Sequence, residues 1–174
     1  MKKLLVVLFL SSLSLSLLCQ SKEAGTEMEA IKKYMTTKDN GAMLTRRDVD
    51  EVKKVLREYN NSLEKLDFTG TEKLFTSDSK IFESGGSEGT YAHYKEHHMT
   101  PEFKDFSSFI FSDHKADVQV AGKYAFATET YSYNIVLAKD KTEAKRKGVA
   151  TSVLKKQNGQ WKIWISHNSS RKGS

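Results

Sequence analysis

The dipeptide Asn158-Gly159 constrains the fold of this chain most strongly, because it lies between two runs of alternating apolar and polar residues. Asn-Gly in that position favours a two-residue type I′ turn, whose twist matches that of two antiparallel strands. The turn sets the pairs across the hairpin: Trp161 with Lys156, Ile163 with Leu154, Ile165 with Ser152, and His167 with Ala150. Since alternate residues share a face, the sequence predicts that Trp161, Ile163, Ile165 and His167 all project to one side.

Strand chemistry extends through the second half of the chain. Residues 106–120, 124–137, 146–156 and 160–169 are rich in aromatic and β-branched side chains, and turn residues such as Ala121-Gly122-Lys123 separate them. This pattern predicts four long antiparallel strands.

A helix is predicted upstream of the strands, beginning at Thr45 or Asp48. Its apolar side chains recur every three or four residues and form one face: Val49, Val52, Leu56, Tyr59, Leu63 and Leu66. A short helix over 71–75, a short strand over 80–83, a loop over 84–89 and a brief helix capped by Thr90 are predicted to follow. Together these elements predict an α+β domain over residues 45–170.

Residues 1–19 have the pattern of a bacterial signal sequence, with Lys2 and Lys3 preceding an apolar stretch that ends at Cys19. Cys19 is the single cysteine and lies where a lipoprotein carries its acylated residue, although Leu18 departs from the small residue usual before it. We expect an exported protein of the cell envelope or periplasm, anchored to the membrane only by lipid on Cys19, or else freely secreted. A polar tether over 20–44 and a basic tail over 171–174 complete the predicted organisation.

The charge of the chain argues against a nucleic-acid partner. Lys and Arg number 28 against 22 Asp and Glu, for a formal net charge of +6. The basic residues are scattered apart from Lys145-Arg146-Lys147 and the tail, and they are not interleaved with aromatic residues. A solvated surface accounts for them better than a nucleic-acid footprint.

The order of elements resembles the nuclear transport factor 2-like superfamily, and the residues resemble its SnoaL-like, ketosteroid isomerase-related branch. The segments that carry the resemblance are Val55-Leu56-Arg57-Glu58-Tyr59, Phe82-Glu83-Ser84-Gly85-Gly86, Gly148 to Leu154, Gly159 to Ile163 and His167-Asn168-Ser169. The resemblance implies a cone in which a curved antiparallel sheet wraps around the first helix and encloses a hydrophobic cavity. Members include isomerases, dehydratases, ligand binders and docking domains, so the fold alone does not select a function.

The predicted site joins Glu83, His98 and His167 at the mouth of the cavity, with Glu102 or Glu129 in support. Two imidazoles and a carboxylate suit Zn²⁺, Cu²⁺ or non-haem iron. The same groups also suit acid/base catalysis without a metal. The alternative is that all three are ordinary structural residues, with His167 hydrogen-bonded in its strand and His98 facing water.

The remaining histidines receive no catalytic role. His93 and His97 are expected to face solvent, and His114 is assigned no function. The letters His93-Tyr94-Lys95-Glu96-His97 match an inverted zinc-protease signature, but the helix is too short to support that interpretation.

The sequence leaves three functions open. The first is binding of a small apolar or aromatic molecule in a pocket lined by six residues: Tyr59, Tyr94, Tyr131, Trp161, Ile163 and Ile165. The second is a lyase or isomerase of the ketosteroid isomerase type, with His98 or His167 as the base. The third is a homodimeric docking module that uses Trp164 on the opposite face of the sheet.

Overall fold

A computed structural model describes residues 13–173, and between residues 13 and 44 it describes only some of the side chains. The chain divides into two units, Met1–Leu44 and Thr45–Ser174. Residues 1–12 of the expected signal sequence and the side chain of Cys19 lie outside the described residues, so export and lipid anchoring stay predictions. Within the described part, no helix is both long and apolar enough to cross a membrane.

The first helix, α1, spans Leu13–Glu64 and therefore begins well before the predicted start at Thr45 or Asp48. The prediction of a tether with at most a short helix over 20–44 is wrong. This segment has only a weak apolar stripe, Met28, Ile31 and Met35, but it is rich in Lys, Glu, Ala and Met, which favour helix, and the only proline in the chain is Pro101. Its described side chains between Glu29 and Met43 are exposed.

Six strands form one sheet, in the order β2-β1-β6-β5-β4-β3. Their bounds are β1 Phe75–Glu83, β2 Gly86–Gly89, β3 Phe106–Ala121, β4 Tyr124–Leu137, β5 Glu143–Gln157 and β6 Gln160–Lys172. The four long strands match the prediction closely. The sheet is mixed rather than wholly antiparallel, because β1 runs parallel to β6. The short strand β2, in the segment predicted as a loop, pairs with β1.

Short helical segments fill the space between α1 and β3. A 3₁₀ turn spans Thr71–Leu74, and α2 (Tyr91–Tyr94), a π turn (Lys95–Met99) and α3 (Thr100–Phe103) follow one another without a break. The hydroxyl of Thr90 accepts a hydrogen bond from the backbone N–H of His93, as predicted for a helix cap.

The 158–159 hairpin forms, but its predicted register holds only next to the turn. Trp161 pairs with Lys156 and Ile163 with Leu154; a β-bulge then follows, beyond which Ser152 pairs with Ser166 and Thr151 with His167. The predicted pairs Ile165–Ser152 and His167–Ala150 are therefore wrong. An extra residue in one strand reverses which side chains face inward. Ser166 and Asn168 face the concave side, whereas His167 is exposed on the convex side.

A second β-bulge interrupts β3 between Ser112 and Lys115. Asp113 within it has a φ of 53°, in the left-handed region that Asp adopts more readily than most residues. Phe109 and Phe111 face inward before this bulge, and residue 114 faces inward after it. The bulge therefore turns His114 toward the concave face of the sheet.

The core lies between residues 45–64 of α1 and the concave face of the sheet. Val52 and Leu56 of α1 are almost fully buried, as are Leu154 and Ile163 of the hairpin. Trp161 is also buried, and its indole N–H donates to Asp48 Oδ1 at 3.0 Å.

We predict that the bulge in β3 depends on the backbone freedom of residue 113. Replacing Asp113 with Val should lower the free energy of unfolding by about 1–2 kcal/mol, because a β-branched residue disfavours left-handed backbone. Asp113→Gly should leave the free energy of unfolding nearly unchanged or raise it, because glycine adopts left-handed backbone without strain. Asp117→Val is the matched control, since Asp117 is an exposed residue of the same strand outside the positive-φ positions. Urea unfolding measures all three, and equal stability of the two Val variants would contradict the prediction.

Candidate functional site

A cavity of about 150 Å³ lies between α1 and the concave face of the sheet. Nine aromatic rings line it, and they come from α1, β1, the helical segments, β3 and β4: Tyr59, Phe75, Tyr94, Phe103, Phe106, Phe109, Phe111, Tyr131 and Tyr133. Small side chains at Ala150 and Ser152 on β5 leave room for it. The cavity is therefore a largely apolar space of a size that holds a molecule such as benzene.

Glu129 places a carboxylate in this apolar wall. Its side chain lies on β4 and is only 5% exposed. Its Oε1 accepts a hydrogen bond from Asn60 Nδ2 of α1 at 2.9 Å and lies 2.8 Å from His114 Nε2 of β3. Both contacts involve Oε1, and within the described part of the chain Oε2 has no hydrogen-bond partner.

The geometry at Glu129 indicates the tautomer of His114. If Nε2 carries the proton, Oε1 of Glu129 accepts two hydrogen bonds, one from Nε2–H and one from the amide of Asn60. The 3.2 Å approach between Asn60 Nδ2 and His114 Nε2 is then a contact between two donors that share one acceptor. In this arrangement His114 and Asn60 hold the carboxylate in place, and Oε2 is left available to a molecule in the cavity.

Sequence reasoning missed the role of His114, and it placed Glu129 only in support of another site. The signal that could have found His114 is Asp113, because Asp is disfavoured in the interior of a strand and tolerated at a bulge. Without that bulge, alternation from Phe109 and Phe111 assigns His114 to the convex face.

Tyrosines supply the hydroxyl groups of the cavity. The hydroxyl of Tyr59 points at Met99 Sδ, 3.6 Å away, which is a weak acceptor. Burial raises the pKa of Tyr59 well above its usual value, and burial together with the charge of Glu129 raises the pKa of Tyr131. Both phenols therefore stay protonated and can donate hydrogen bonds to a bound molecule.

Gly148 positions the ring of Tyr131. The two residues are paired across β4 and β5, and a Cβ on residue 148 would lie 2.2 Å from a carbon of the tyrosine ring. Only glycine lets the ring lie against the backbone here.

A second group of polar side chains reaches the cavity from β1 and the helical segments. The hydroxyl of Tyr94 donates to Glu83 Oε2 at 2.6 Å, and Glu102 lies nearby at the mouth. Burial and the neighbouring charge of Glu83 raise the pKa of Glu102. This cluster, Glu83, Tyr94 and Glu102, is called the acidic end below.

The structure does not bring the predicted catalytic and metal-binding residues Glu83, His98 and His167 together. His98 is half-buried and forms an ion pair with Glu88 at 2.9 Å, while His167 is exposed on the convex face because of the bulge in β6. Among residues 13–173, no three His, Cys, Asp or Glu side chains are arranged to hold a metal. Glu83 alone of the three lines the cavity.

Four of the six predicted pocket residues line the cavity, and two do not. Tyr59, Tyr94, Tyr131 and Ile163 line the cavity. Trp161 instead packs in the core, and Ile165 lies beyond the bulge on the other face. Trp164, predicted to mediate dimerisation, donates its indole N–H to Asp78 Oδ2 at 3.2 Å; dimerisation stays a prediction.

Comparison with solved structures shows the same fold in several bacterial proteins. A nuclear transport factor 2-like superfamily protein from Salmonella enterica superposes with a TM-score of 0.63 at 19% identity, covering 76% of this chain and 94% of that one. A candidate ketosteroid isomerase from Shewanella frigidimarina gives 0.57 at 21% identity over 68% and 94%. A hexachlorocyclohexane dehydrochlorinase from Novosphingobium barchaimii gives 0.59 at 13% identity over 75% and 88%. Identities this low establish the fold and no more, and they confirm the predicted nuclear transport factor 2-like architecture.

The sequence itself identifies the family. No curated protein matches the chain significantly. The family model of the SnoaL-like domain, however, matches residues 52–171, which include most of the helical face, the whole sheet except the last residue of β6, and every residue that lines the cavity. The chain therefore belongs to the SnoaL-like domain family.

Proposed function

We propose that this protein is a lyase or isomerase that works by acid/base chemistry, with Glu129 as the base. One observation carries the proposal: a carboxylate that is 95% buried lies in the wall of an aromatic cavity, held through Oε1 by Asn60 and His114, with Oε2 unpaired. A buried carboxylate costs free energy unless it is hydrogen-bonded, so a half-satisfied one suggests a use. This favours catalysis over simple binding of an apolar molecule.

In the proposed reaction, Oε2 of Glu129 removes a proton from a carbon of the bound molecule. The electron pair of the broken C–H bond moves toward an adjacent carbonyl or expels a leaving group from the neighbouring carbon. In an isomerase, Glu129 returns the proton to a different carbon. In a lyase, the C–H electron pair forms the new double bond, the leaving group departs with the pair of the bond that held it, and the proton passes from Glu129 to the leaving group or to water. His114 and Asn60 are positioning residues, because they act through Oε1.

Tyr59 is the proposed hydrogen-bond donor to the charge that develops on the bound molecule. Among the described residues its hydroxyl has only the thioether of Met99 as a partner, so a stronger acceptor in the cavity would displace that contact. Donors already oriented in a dry site stabilise such charge more than water does. Names of similar structures are consistent with this chemistry, since one is a dehydrochlorinase and another a candidate isomerase.

We predict that Glu129→Gln abolishes general-base activity. A suitable probe is 5-nitrobenzisoxazole, a neutral aromatic whose one acidic C–H proton passes to a base as its N–O bond breaks, releasing a coloured cyanonitrophenolate. Relative to the native protein, kcat/KM should fall by about 100-fold in Glu129→Gln and by about tenfold in His114→Ala. Visible absorbance follows the product.

The control for this experiment is Glu143→Gln, because Glu143 is an exposed carboxylate at the start of β5. That variant should keep the native rate. A native rate no higher than that of buffer alone, or an unchanged rate in Glu129→Gln, would overturn the proposed function.

The protonated state of Tyr59 has its own test in the pH dependence of stability. Because burial raises the pKa of Tyr59 above the ordinary 10.0, the folded state holds this proton more tightly than the unfolded state. Its contribution to stability is therefore fully present below about pH 10 and is lost as the pH rises through the pKa of the folded state. Tyr59→Phe carries no such proton.

Urea unfolding of the native protein and Tyr59→Phe, compared at about pH 8, 10 and 11, measures this difference. We expect the free energy of unfolding to fall more with pH in the native protein than in the variant. If the difference in the free energy of unfolding between the two proteins stays constant across these pH values, Tyr59 has an ordinary pKa.

A further inference from the structure

The cavity has the opposite charge to the chain as a whole. The protein carries a formal net charge of +6, yet the charged residues that line the cavity are three glutamates: Glu83, Glu102 and Glu129. No Lys, Arg or His of the described residues belongs to the lining. In a protein with 28 basic residues, such a distribution indicates that the cavity is adapted to a ligand of positive charge.

The carboxylates reach the cavity from three elements: Glu129 from β4, Glu83 from β1 and Glu102 from α3. Glu129 presents its unpaired Oε2 from a side chain that is nine-tenths buried, whereas Glu83 and Glu102 lie at the acidic end. The proximity of Glu83 and burial both disfavour the charged form of Glu102. A cation bound between these groups would relieve that repulsion.

The aromatic wall suits the same ligand. Phenol and benzene rings present a negative face, so a desolvated cation gains energy against them that a neutral group of the same shape does not. Tyr59, Tyr94 and Tyr131 surround the cavity between its acidic groups, and phenylalanine rings complete the wall. Carboxylates combined with aromatic rings are typical of sites for ammonium groups.

The nearby basic side chains lie outside the lining of the cavity, and each has a partner. Arg146 donates through Nε to the hydroxyl of Ser170 at 2.9 Å and through a second nitrogen to the Ser170 carbonyl. His98 pairs with Glu88, and Lys95 pairs with Glu72. Among the described residues, the lining itself therefore offers no basic side chain to a carboxylate or phosphate ligand, and the nearest such charge in these contacts is that of Arg146, behind Ser170.

We propose that the ligand of the cavity is a small organic cation, an amine or quaternary ammonium attached to an apolar or aromatic body. This proposal rests on the proposed function, since it names the substrate class of the same site. The ammonium group lies at the acidic end, between Glu83 and Glu102 and against Tyr94, and the carbon to be deprotonated lies toward Glu129.

The test compares three probes of similar size and different charge: benzylammonium, benzyl alcohol and benzoate. Calorimetry or chemical-shift titration on the full chain at about pH 7 measures the three affinities. The affinity for benzylammonium should be at least about tenfold higher than that for benzyl alcohol, and the affinity for benzoate should be the lowest. Glu83→Gln and Glu102→Gln should each remove most of the preference for the cation. A glutamine at position 83 can still accept the hydrogen bond of Tyr94, so the fold is expected to be retained, and thermal unfolding verifies it.

The matched control is Glu96→Gln, since Glu96 is an exposed carboxylate on the neighbouring π turn. It should keep the native preference. The proposal would be overturned if the three probes bound equally, if benzoate were preferred, or if none of the probes bound. It would also be overturned if the preference for benzylammonium survived in both acidic-end variants.

Failure of this proposal can be told from failure of the proposed function. His114→Ala should lower kcat/KM of the benzisoxazole reaction by about tenfold while retaining the preference for benzylammonium, because His114 lies outside the acidic end. Cation binding without any base activity would leave a cation-binding protein; base activity without cation preference would leave an enzyme for a neutral substrate.

Discussion

The β-bulges at Asp113 in β3 and between Ile163 and Ile165 in β6 determine which histidine faces the concave side of the sheet, and the rest of the site depends on them. In a regular strand, alternate residues share a face, so one extra residue exchanges the inward and outward sets. The bulge at Asp113 turns His114 toward the concave face, within reach of Glu129, while the bulge between Ile163 and Ile165 turns His167 outward and brings in Ser166 and Asn168. The choice of histidine at the site is thus a consequence of strand geometry.

Once His114 faces inward, the electrostatics of the cavity follow. A carboxylate buried among aromatic rings loses its hydration, and the two hydrogen bonds to Oε1 of Glu129 offset part of that loss. The donors come from α1 and β3, elements far apart in sequence, so the carboxylate is held by the packing of the helix on the sheet. The same burial keeps Tyr59 and Tyr131 protonated, so the cavity holds hydroxyl donors as well as a carboxylate.

Periodicity predicted most of the fold, because long strands, the 158–159 turn and the apolar face of α1 are local signals. It could not predict the parallel pairing of β1 with β6, which depends on the whole topology, or the helical state of residues 20–44. The residues of the site were harder to predict from the sequence than the fold. Three consecutive apolar residues, Ile163 to Ile165, fit either face of a strand, so alternation could not locate the bulge. The predicted His98 and His167 were therefore placed in a cavity that neither of them lines, whereas Tyr59, Tyr94, Tyr131 and Glu83 were placed correctly.

The coupling between His114 and Glu129 tests the central claim most directly. A double-mutant cycle combines His114→Ala, Glu129→Gln and the double variant and measures the free energy of unfolding of each at about pH 7. Hydrogen bonds to a charged group contribute about 1.5–3 kcal/mol, so the account predicts a coupling energy in that range. Effects that simply add would contradict it, because they would mean that the imidazole does not hold the carboxylate and that the bulge at Asp113 does not build the site.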